Sequence, residues 1–342
     1  MLILAIESSC DDTAAAVVED GVRILSSIVS TQDDIHAKYG GIVPELASRR
    51  HIEMIIPVVE AALSKAGVEL DAIDAIGVTK GPGLVGSLLI GLSFAKALSY
   101  VRKIPYVGVN HLEAHPLAAF LQNGAAGNET PEFPFIALLA SGGHTALMKF
   151  KTFTDFEILG QTRDDAAGEA FDKVAKLLGL GFPGGAVIDA RAKEGDKKRF
   201  PFTRPYIKTG NLEFSFSGVK TAALNHVKGL GAKPTEDDIN DICAGFQEVV
   251  VDVLVRKVEW AIEETGIGCV VAAGGVACNS RLRERLKEFA EAEGIKLVIP
   301  APALCSDNAA MIALSAYHLL KKGERAGLDL NAMPNWGPDG LY

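Results

Sequence analysis

Leu2-Ile-Leu-Ala-Ile-Glu-Ser-Ser-Cys-Asp-Asp-Thr-Ala-Ala-Ala-Val-Val18 opens the chain with two short apolar runs around a polar loop. Runs of this length, bounded by turn formers, read as strands over residues 2–7 and 14–18. Asp20-Gly21 is a hairpin signal and leads into a third strand over 22–30. Ile52, Ile55, Ile56, Val59 and Leu63 then recur at helical spacing within 44–66. A strand over 73–79, a helix over 84–102, a strand over 106–109 and a further helix follow. The same order returns later. Strands are expected over 135–140, 145–150 and 156–160, then a helix over 168–178. A long helix over 238–264, a strand over 269–272, a helix over 281–292, a strand over 296–298 and a helix over 308–321 complete it. The chain therefore reads as two versions of one α/β unit, with an insertion at 180–237 in the second. Ligands of such sheets bind at the carboxyl ends of strands.

The 342 residues suffice for two domains without disulfides or a structural metal. Acidic residues number 43 against 34 basic ones, a net charge of −9, which excludes a globally basic nucleic-acid binder. Five cysteines occur with no Cys-x-x-Cys pair, which fits reduced cytoplasmic thiols and not a disulfide framework. The N-terminus has no basic region, and Glu7 interrupts its apolar run, so no signal peptide is expected. The uncharged run 83–95 ends at Lys96, short of a membrane span, and reads as a buried helix.

Several motifs sit where such a fold binds ligands. Ser141-Gly-Gly-His-Thr145 follows an apolar strand, and its glycines let backbone amides approach an anion; the alternative is an ordinary tight hairpin. The matching loop 8–13 offers Asp11 and Asp12, either of which could also be a solvated turn residue. Gly81-Pro-Gly-Leu-Val-Gly86 has the dinucleotide-fingerprint spacing, but no acid follows about 20 residues on, so a tight strand-to-helix turn is preferred. Pro183-Gly-Gly-Ala-Val-Ile-Asp189 is read as flexible backbone carrying one carboxylate. His111 and His115, four apart after the N-cap candidate Asn110, would share one helix face and could share a metal, with Pro116 bending the turn. The order is not the zincin one, because the glutamate, Glu113, stands third. Asp307 reads as an N-cap, and Asn279, after Gly274-Gly275, as either a turn cap or a ligand contact.

Residues 191–208 hold Arg191, Lys193, Lys197, Lys198, Arg199, Arg204 and Lys208 against Glu194 and Asp196, a net of +5 that leaves −14 on the rest. Phe200, Phe202 and Tyr206 are interleaved, as an RNA contact requires. A solvated connector would have the same composition.

Taken together, Ile6-Glu-Ser-Ser-Cys-Asp-Asp-Thr13, His111-x-x-x-His115, Ser141-Gly-Gly-His-Thr145, Gly168-Glu-Ala-Phe-Asp-Lys173 and Gly274-Gly-Val-Ala-Cys-Asn279 resemble the TsaD/Gcp/YgjD family, relatives of the Kae and Qri proteins. The resemblance runs from residue 2 to about 320 with the motifs in order. It implies an α/β fold of two duplicated actin/hexokinase-like (ASKHA) lobes with a ligand cleft between them. The lobes would be 1–130 and 131–325, with 326–342 as a C-terminal tail. It implies transfer of the threonylcarbamoyl group of threonylcarbamoyl-AMP to N6 of adenosine 37 in tRNAs reading codons that begin with A, with release of AMP. It places one divalent metal, iron(II) or zinc, on His111, His115 and Asp307. It places adenylate contacts on Leu139, Ala140, Ser141, Gly142, Gly143, Asp172, Gly185, Asp189 and Asn279. It implies a TsaB-like paralogue and a TsaE-like ATPase as partners, and a cytoplasmic location without a membrane. Asp11 is the expected base or orienter beside the metal.

Three other classes share parts of this pattern. A metallopeptidase, the old O-sialoglycoprotein endopeptidase reading, would use Glu113 as its base. A small-molecule kinase of the same fold would carry Asp-x-Gly-Thr in its first loop, where this chain has Glu7-Ser-Ser-Cys10. A scaffold would be indifferent to loss of Asp307 and Asn279.

Overall fold

The computed structural model describes residues 1–122, 130–205 and 211–336. Chain segments cluster into two compact units. One holds Met1–Thr130, Lys151–Asp155 and Ala303–Tyr342; the other holds Pro131–Phe150 and Phe156–Pro302.

The first unit is built on β1 (Leu2–Glu7), β2 (Thr13–Glu19), β3 (Arg23–Ser30), β4 (Ala75–Gly81) and β5 (Tyr106–Asn110), in the order β3-β2-β1-β4-β5. β1 pairs antiparallel with β2 (Leu2 opposite Glu19) and parallel with β4 (Ile3 opposite Ala75). Its helices are a single turn α1 (Asp33–His36), α2 (Pro44–Ala66), α3 (Val85–Arg102) and the short α4 (His111–Leu117). Leu4, Ile6, Ala15 and Val17 from the sheet form one core with Ile55, Val59 and Ala62 of α2 and Leu92 and Ala95 of α3. Strand side chains alternate between faces, so Ile3, Ala5, Ala14 and Ala16 point the other way, and they too are fully buried. Covering both faces explains why these strands are continuously apolar.

α3 is 18 residues long and apolar enough, by length and composition, to cross a membrane. One face, with Ser87, Leu88, Gly91, Leu92 and Ala95, is buried within this unit, while Val85, Leu89, Tyr100 and Val101 are exposed.

The second unit repeats the plan with β6 (Phe135–Ala140), β7 (Thr145–Thr152), β8 (Asp155–Gln161), β9 (Cys269–Ala273) and β10 (Lys296–Val298). Their order, β10-β9-β6-β7-β8, is the first sheet's order read from the other edge. β6 again pairs antiparallel with its successor (Ala140 opposite Thr145) and parallel with the next inner strand (Ile136 opposite Val270). Its helices are α5 (Ala167–Leu178), α6 (Gly184–Ala192), α7 (Ser217–Gly229), α8 (Glu236–Thr265) and α9 (Ser280–Glu293); a single turn α10 (Pro302–Cys305) and α11 (Ala309–Lys321) follow in the chain. The ring of Phe135 stacks on its cross-strand neighbour Phe150, with centroids 5.0 Å apart. Phe171 of α5 meets Phe246 of α8 edge to face, at 5.1 Å.

α11 folds with the first unit, although the sequence placed residues up to 325 in the second lobe. It is apolar enough to cover a sheet face, and the residue beneath it is Gly77 of β4: a Cβ there would lie 2.6 Å from that of Ala316. The 183–189 stretch is a second difference. It is the start of α6, not flexible backbone. Gly184 packs so closely on α5 that a Cβ would lie 2.7 Å from the Phe171 carbonyl oxygen. Its amide donates to Asp172 Oδ1 at 2.7 Å, so α5 supplies the cap for α6. The periodicity of α7 is weak, and the insertion showed neither helix at the level of sequence.

Candidate active site

β5 ends at Asn110, whose side chain accepts from the amides of Leu112 (2.9 Å) and Glu113 (3.4 Å) and so starts α4 as an N-cap. The helix then aligns His111 and His115, both buried. Their Nε2 atoms lie 3.2 Å apart, and Asp307 Oδ1 lies 3.6 Å from the first and 3.2 Å from the second. The N-cap of α11 is the next residue, Asn308, whose Oδ1 accepts from the Met311 amide at 3.0 Å. The N-cap reading of Asp307 is thereby corrected by one position.

The three atoms fit a metal ion. Ligands bound at about 2.0–2.2 Å and separated by tetrahedral or octahedral angles stand about 3.0–3.5 Å from one another. Two imidazole nitrogens and a carboxylate oxygen converge in a buried place, where a bound cation would take the place of ring protons. Among the described residues this is the one group of three or more such side chains able to hold a metal.

Around the three ligands lies a layer that sequence reasoning left without a role. Glu7, the last residue of β1, is fully buried. Its Oε2 lies 2.9 Å from His111 Nδ1 and accepts from the Thr79 hydroxyl at 2.6 Å, while its Oε1 accepts from the Ser9 amide. Burial works against the charge of Glu7, but the adjacent His111 ring, helped by Thr79, holds the carboxyl below its ordinary value. Burial lowers His111 in turn, yet the charges of Glu7 and Asp307 push it up to about 9. A motif search for ligands could not single out Glu7; its only signal was a carboxylate ending an otherwise apolar strand.

Asp11 and Asp12 follow in the loop after β1. Burial raises Asp11, with a further push from Asp307. Asp12 goes further, to about 8, through burial and then the charges of Asp307 and Asp11. His51 of α2 pins this loop, with Nδ1 2.7 Å from the Thr13 hydroxyl and Nε2 3.0 Å from the Cys10 carbonyl oxygen. The Gly81–Gly86 stretch proves to be a turn fitted against the same loop. The Leu84 amide donates to the Ser9 carbonyl at 2.7 Å, and a Cβ on Gly83 would lie 2.3 Å from that oxygen.

Glu113 stands on the opposite face of α4 from the histidine pair, as its position in the helix requires. Burial and then the neighbouring Glu324 push its carboxyl up to about 8.

In the second unit, Ser141-Gly-Gly-His144 closes the β6–β7 hairpin through Ser141 N–H to His144 O (2.8 Å) and His144 N–H to Ser141 Oγ (3.1 Å). Gly142 and Gly143 are exposed, with open space where their Cβ atoms would be. The turn also seats α5, whose N-cap position is Ala166, a residue with no capping side chain. Thr145 Oγ1 accepts from the Ala167 amide (2.8 Å) and Ser141 O from the Gly168 amide (3.1 Å). Leu139 and Ala140 are buried in β6, so only their backbone can meet a ligand. Gly274, at φ +90°, ends β9 against this strand, where a Cβ would lie 2.3 Å from the Ala140 carbonyl oxygen.

The remaining nucleotide candidates are tied into the scaffold. Asp172 receives the α6 amide already described. Asp189 Oδ1 accepts from the Ser280 hydroxyl at 2.8 Å. Asn279 caps α9 through Leu282 N–H (3.0 Å), and its amide donates to Gln247 Oε1 of α8 at 2.7 Å. Gln247, unmarked by any motif, sets that orientation. Gly185 sits in the first turn of α6, partly exposed. A hollow of about 200 Å³ beside these residues is lined by Ala192, Lys197, Gln247 and Arg281, among others.

The basic segment does not present the comb of free cations expected from its composition. Arg191 pairs with Glu236, Lys197 with Glu248, Arg199 with Asp238 and Asp241, and Arg204 with Asp252. All of these partners lie on α8, so the segment is laced to an acidic helix. Lys193 lies 3.9 Å from Asp189. Tyr206 and Lys208 lie outside the described residues.

The model of the TsaD family, described as tRNA N6-adenosine threonylcarbamoyltransferase, matches residues 23–314. A protein of that name from Geobacter sp. (strain M21) is 55% identical over 342 residues, covering 100% of this chain and 98% of the relative. One from Anaeromyxobacter sp. (strain Fw109-5) is 55% identical over 337 residues, covering 98% and 99%. Among solved structures, full-length HypF in its phosphate- and nucleotide-bound form aligns with a TM-score of 0.62 at 15% identity, over 94% of this chain and 46% of that one. The activator of 2-hydroxyisocaproyl-CoA dehydratase from Clostridium difficile with bound ADPNP aligns at 0.52 and 15%, over 94% and 97%. These two likenesses establish the ASKHA-type fold. The match across most of its length, together with relatives more than half identical to it end to end, shows that the chain belongs to the TsaD family.

Proposed function

We propose that this chain is the acyltransferase of N6-threonylcarbamoyladenosine synthesis. It moves the threonylcarbamoyl group of threonylcarbamoyl-AMP to N6 of adenosine 37 in tRNAs that read codons beginning with A. The N6–carbonyl bond forms, the bond from that carbonyl to the phosphate oxygen breaks, N6 gives up a proton, and AMP leaves. The observation that carries this reading is the convergence of His111, His115 and Asp307 in a chain of this family.

His111, His115 and Asp307 would hold the ion, iron(II) by the family resemblance, with zinc as the other candidate. When bound, it supplies Lewis acidity toward an oxygen of the transferred group. The chain's own residues do the rest. Gly142 and Gly143 are exposed and carry no side chain, so their backbone amides are the ones we assign to the phosphate of the adenylate. Asp172, Asp189 and Asn279 are held rigid beside the ribose and base through their bonds to the scaffold. Asp11, raised toward neutrality by burial, is the residue we assign to receive or orient the N6 proton. The reaction is placed in the cytoplasm, where its tRNA substrate resides.

A TsaB-like paralogue is the proposed structural partner, and a TsaE-like ATPase a second. The first finds support in α2 and α3, which meet where Gly86 approaches Ser48 and which leave Ile52, Ile56, Val85 and Leu89 exposed. Successive turns of two adjoining helices are thus apolar on their outer side, as a helix-to-helix interface requires.

The rival readings lose their central residues. A peptidase base would have to face the metal ligands, and Glu113 faces away from them. A kinase would need the β1 acid free for a phosphate-bound cation, whereas Glu7 is fully engaged with His111, Thr79 and Ser9.

The test is reconstitution. Purified protein, its two partners, threonylcarbamoyl-AMP and unmodified tRNA should give the modified nucleoside on chromatography. Absence of product from wild type overturns the reading. His111→Ala, His115→Ala and Asp307→Ala should each lower the rate at least about 100-fold together with bound metal. Full activity in the double histidine variant would remove the metal from the mechanism.

A further inference from the structure

We infer that Glu7 is the positioning residue of the metal centre: its buried carboxylate fixes His111 in the tautomer whose Nε2 lone pair faces Asp307 and His115. The inference rests on the metal reading of those three residues and assigns Glu7 a role that the ligand motif does not contain.

The argument is one of donors and acceptors. An ionised carboxylate has no proton to give, so the 2.9 Å contact between Glu7 Oε2 and His111 Nδ1 requires the proton to sit on Nδ1. That leaves Nε2 as the ring's available ligand atom, and Nε2 is the atom turned toward Asp307 and His115. A metal-bound imidazole oriented through its other nitrogen by a carboxylate is a recurrent device for fixing ring angle and raising ligand basicity. Glu7 is itself immobilised. The Thr79 hydroxyl holds Oε2 from β4 at 2.6 Å, and the Ser9 amide holds Oε1 from the loop after β1. Two strands of the sheet therefore transmit their rigidity to one ring on α4. The Ser9 hydroxyl is also near Nδ1, at 3.3 Å, but a hydroxyl can donate as well as accept and does not select a tautomer.

Glu7→Gln is the discriminating variant because it is nearly isosteric. If the amide oxygen stays with the Ser9 amide, the NH₂ group faces His111 Nδ1 and drives the ring proton to Nε2, the ligand atom. The opposite flip sets NH₂ against the Ser9 amide. Zn²⁺ binding to the full-length protein, measured by competition with a chromophoric chelator, should weaken roughly 10–100-fold in Glu7→Gln. Ser9→Ala should bind within about 3-fold of wild type. Histidine ¹⁵N–¹H correlation spectra of the Zn²⁺-loaded protein provide a readout that a purely structural role would not move. Wild-type His111 should show a strongly deshielded Nδ1 proton and a coordinated Nε2, and Glu7→Gln should lose the first. Unchanged Zn²⁺ affinity in Glu7→Gln, or coordination of wild-type His111 through Nδ1, overturns the inference. Should Glu7→Gln fail to fold, the wild-type spectrum decides by itself. A wild type that binds Zn²⁺ with this signature but modifies no tRNA would refute the proposed function and leave the role of Glu7 standing.

Discussion

At the scale of single residues, the neighbours that the fold brings to a polar side chain decide its chemistry. Asp307 lies beside the histidines, while Asn308 takes the capping task one position later. His318 shows the converse, a titratable ring with an apolar neighbour. On α11 it stacks on Phe153, with ring centroids 3.6 Å apart, and burial pulls it from an ordinary 6.5 down to about 4. The fold thus favours the neutral ring, and the unfolded chain binds the proton more readily. This contribution to stability is complete above about pH 6.5 and is lost as the pH falls toward about 4. His318→Phe keeps the stack and removes the titration. Its unfolding midpoint should therefore fall less steeply than that of wild type across this window, and parallel curves would count against the assignment.

At the scale of elements, the pairing between the 191–205 segment and α8 changes what charge can do there. Glu248 accepts from both Arg281 and Lys197, and these contacts, against the cost of burial, pull its carboxyl down to about 2. Phosphates would have to displace carboxylates already in place, for a gain that exposed ion pairs seldom provide. Neutralising Lys197, Arg199 and Arg204 together is accordingly expected to leave the salt dependence of tRNA binding nearly unchanged and to lower the thermal midpoint. A clearly flatter salt slope in a filter-binding series would restore the patch. Cationic surface for tRNA is then expected elsewhere on the chain or on a partner.

At the scale of the whole molecule, residues 326–336 are part of the first unit's structure. The Ala326 amide donates to the Tyr106 carbonyl (2.8 Å), the Met333 amide to that of Lys80 (2.9 Å), and the Gly83 amide to that of Pro334 (3.1 Å). Leu330 and Ala332 pack against the first core, and Lys80 lies over the Trp336 ring at 4.8 Å. Gly81 is small enough to admit the Met333 backbone, its absent Cβ being 2.0 Å from that oxygen. A chain ending at Arg325 should unfold several degrees lower by calorimetry, because β4 and β5 lose these bonds and their apolar cover. An unchanged midpoint would show that the segment contributes nothing to stability.

The sequence by itself determined the strands, most of the long helices, the duplication, the His111–His115 alignment and the Asn110 cap. All of these follow from local periodicity, turn chemistry and spacing along one element, which neighbouring residues set. The family resemblance had already assigned Asp307 to the metal, but only the tertiary structure decided that it lies beside that pair, that Glu7 and Thr79 stand behind it, that Asp172 caps α6, that α11 folds with the first unit and that Arg191, Lys197, Arg199 and Arg204 pair with carboxylates of α8. Each of these is a contact between residues far apart in the chain. Periodicity carries no information about which remote donor meets which remote acceptor, so a carboxylate that ends a strand, such as Glu7, reads the same whether it faces water or a histidine.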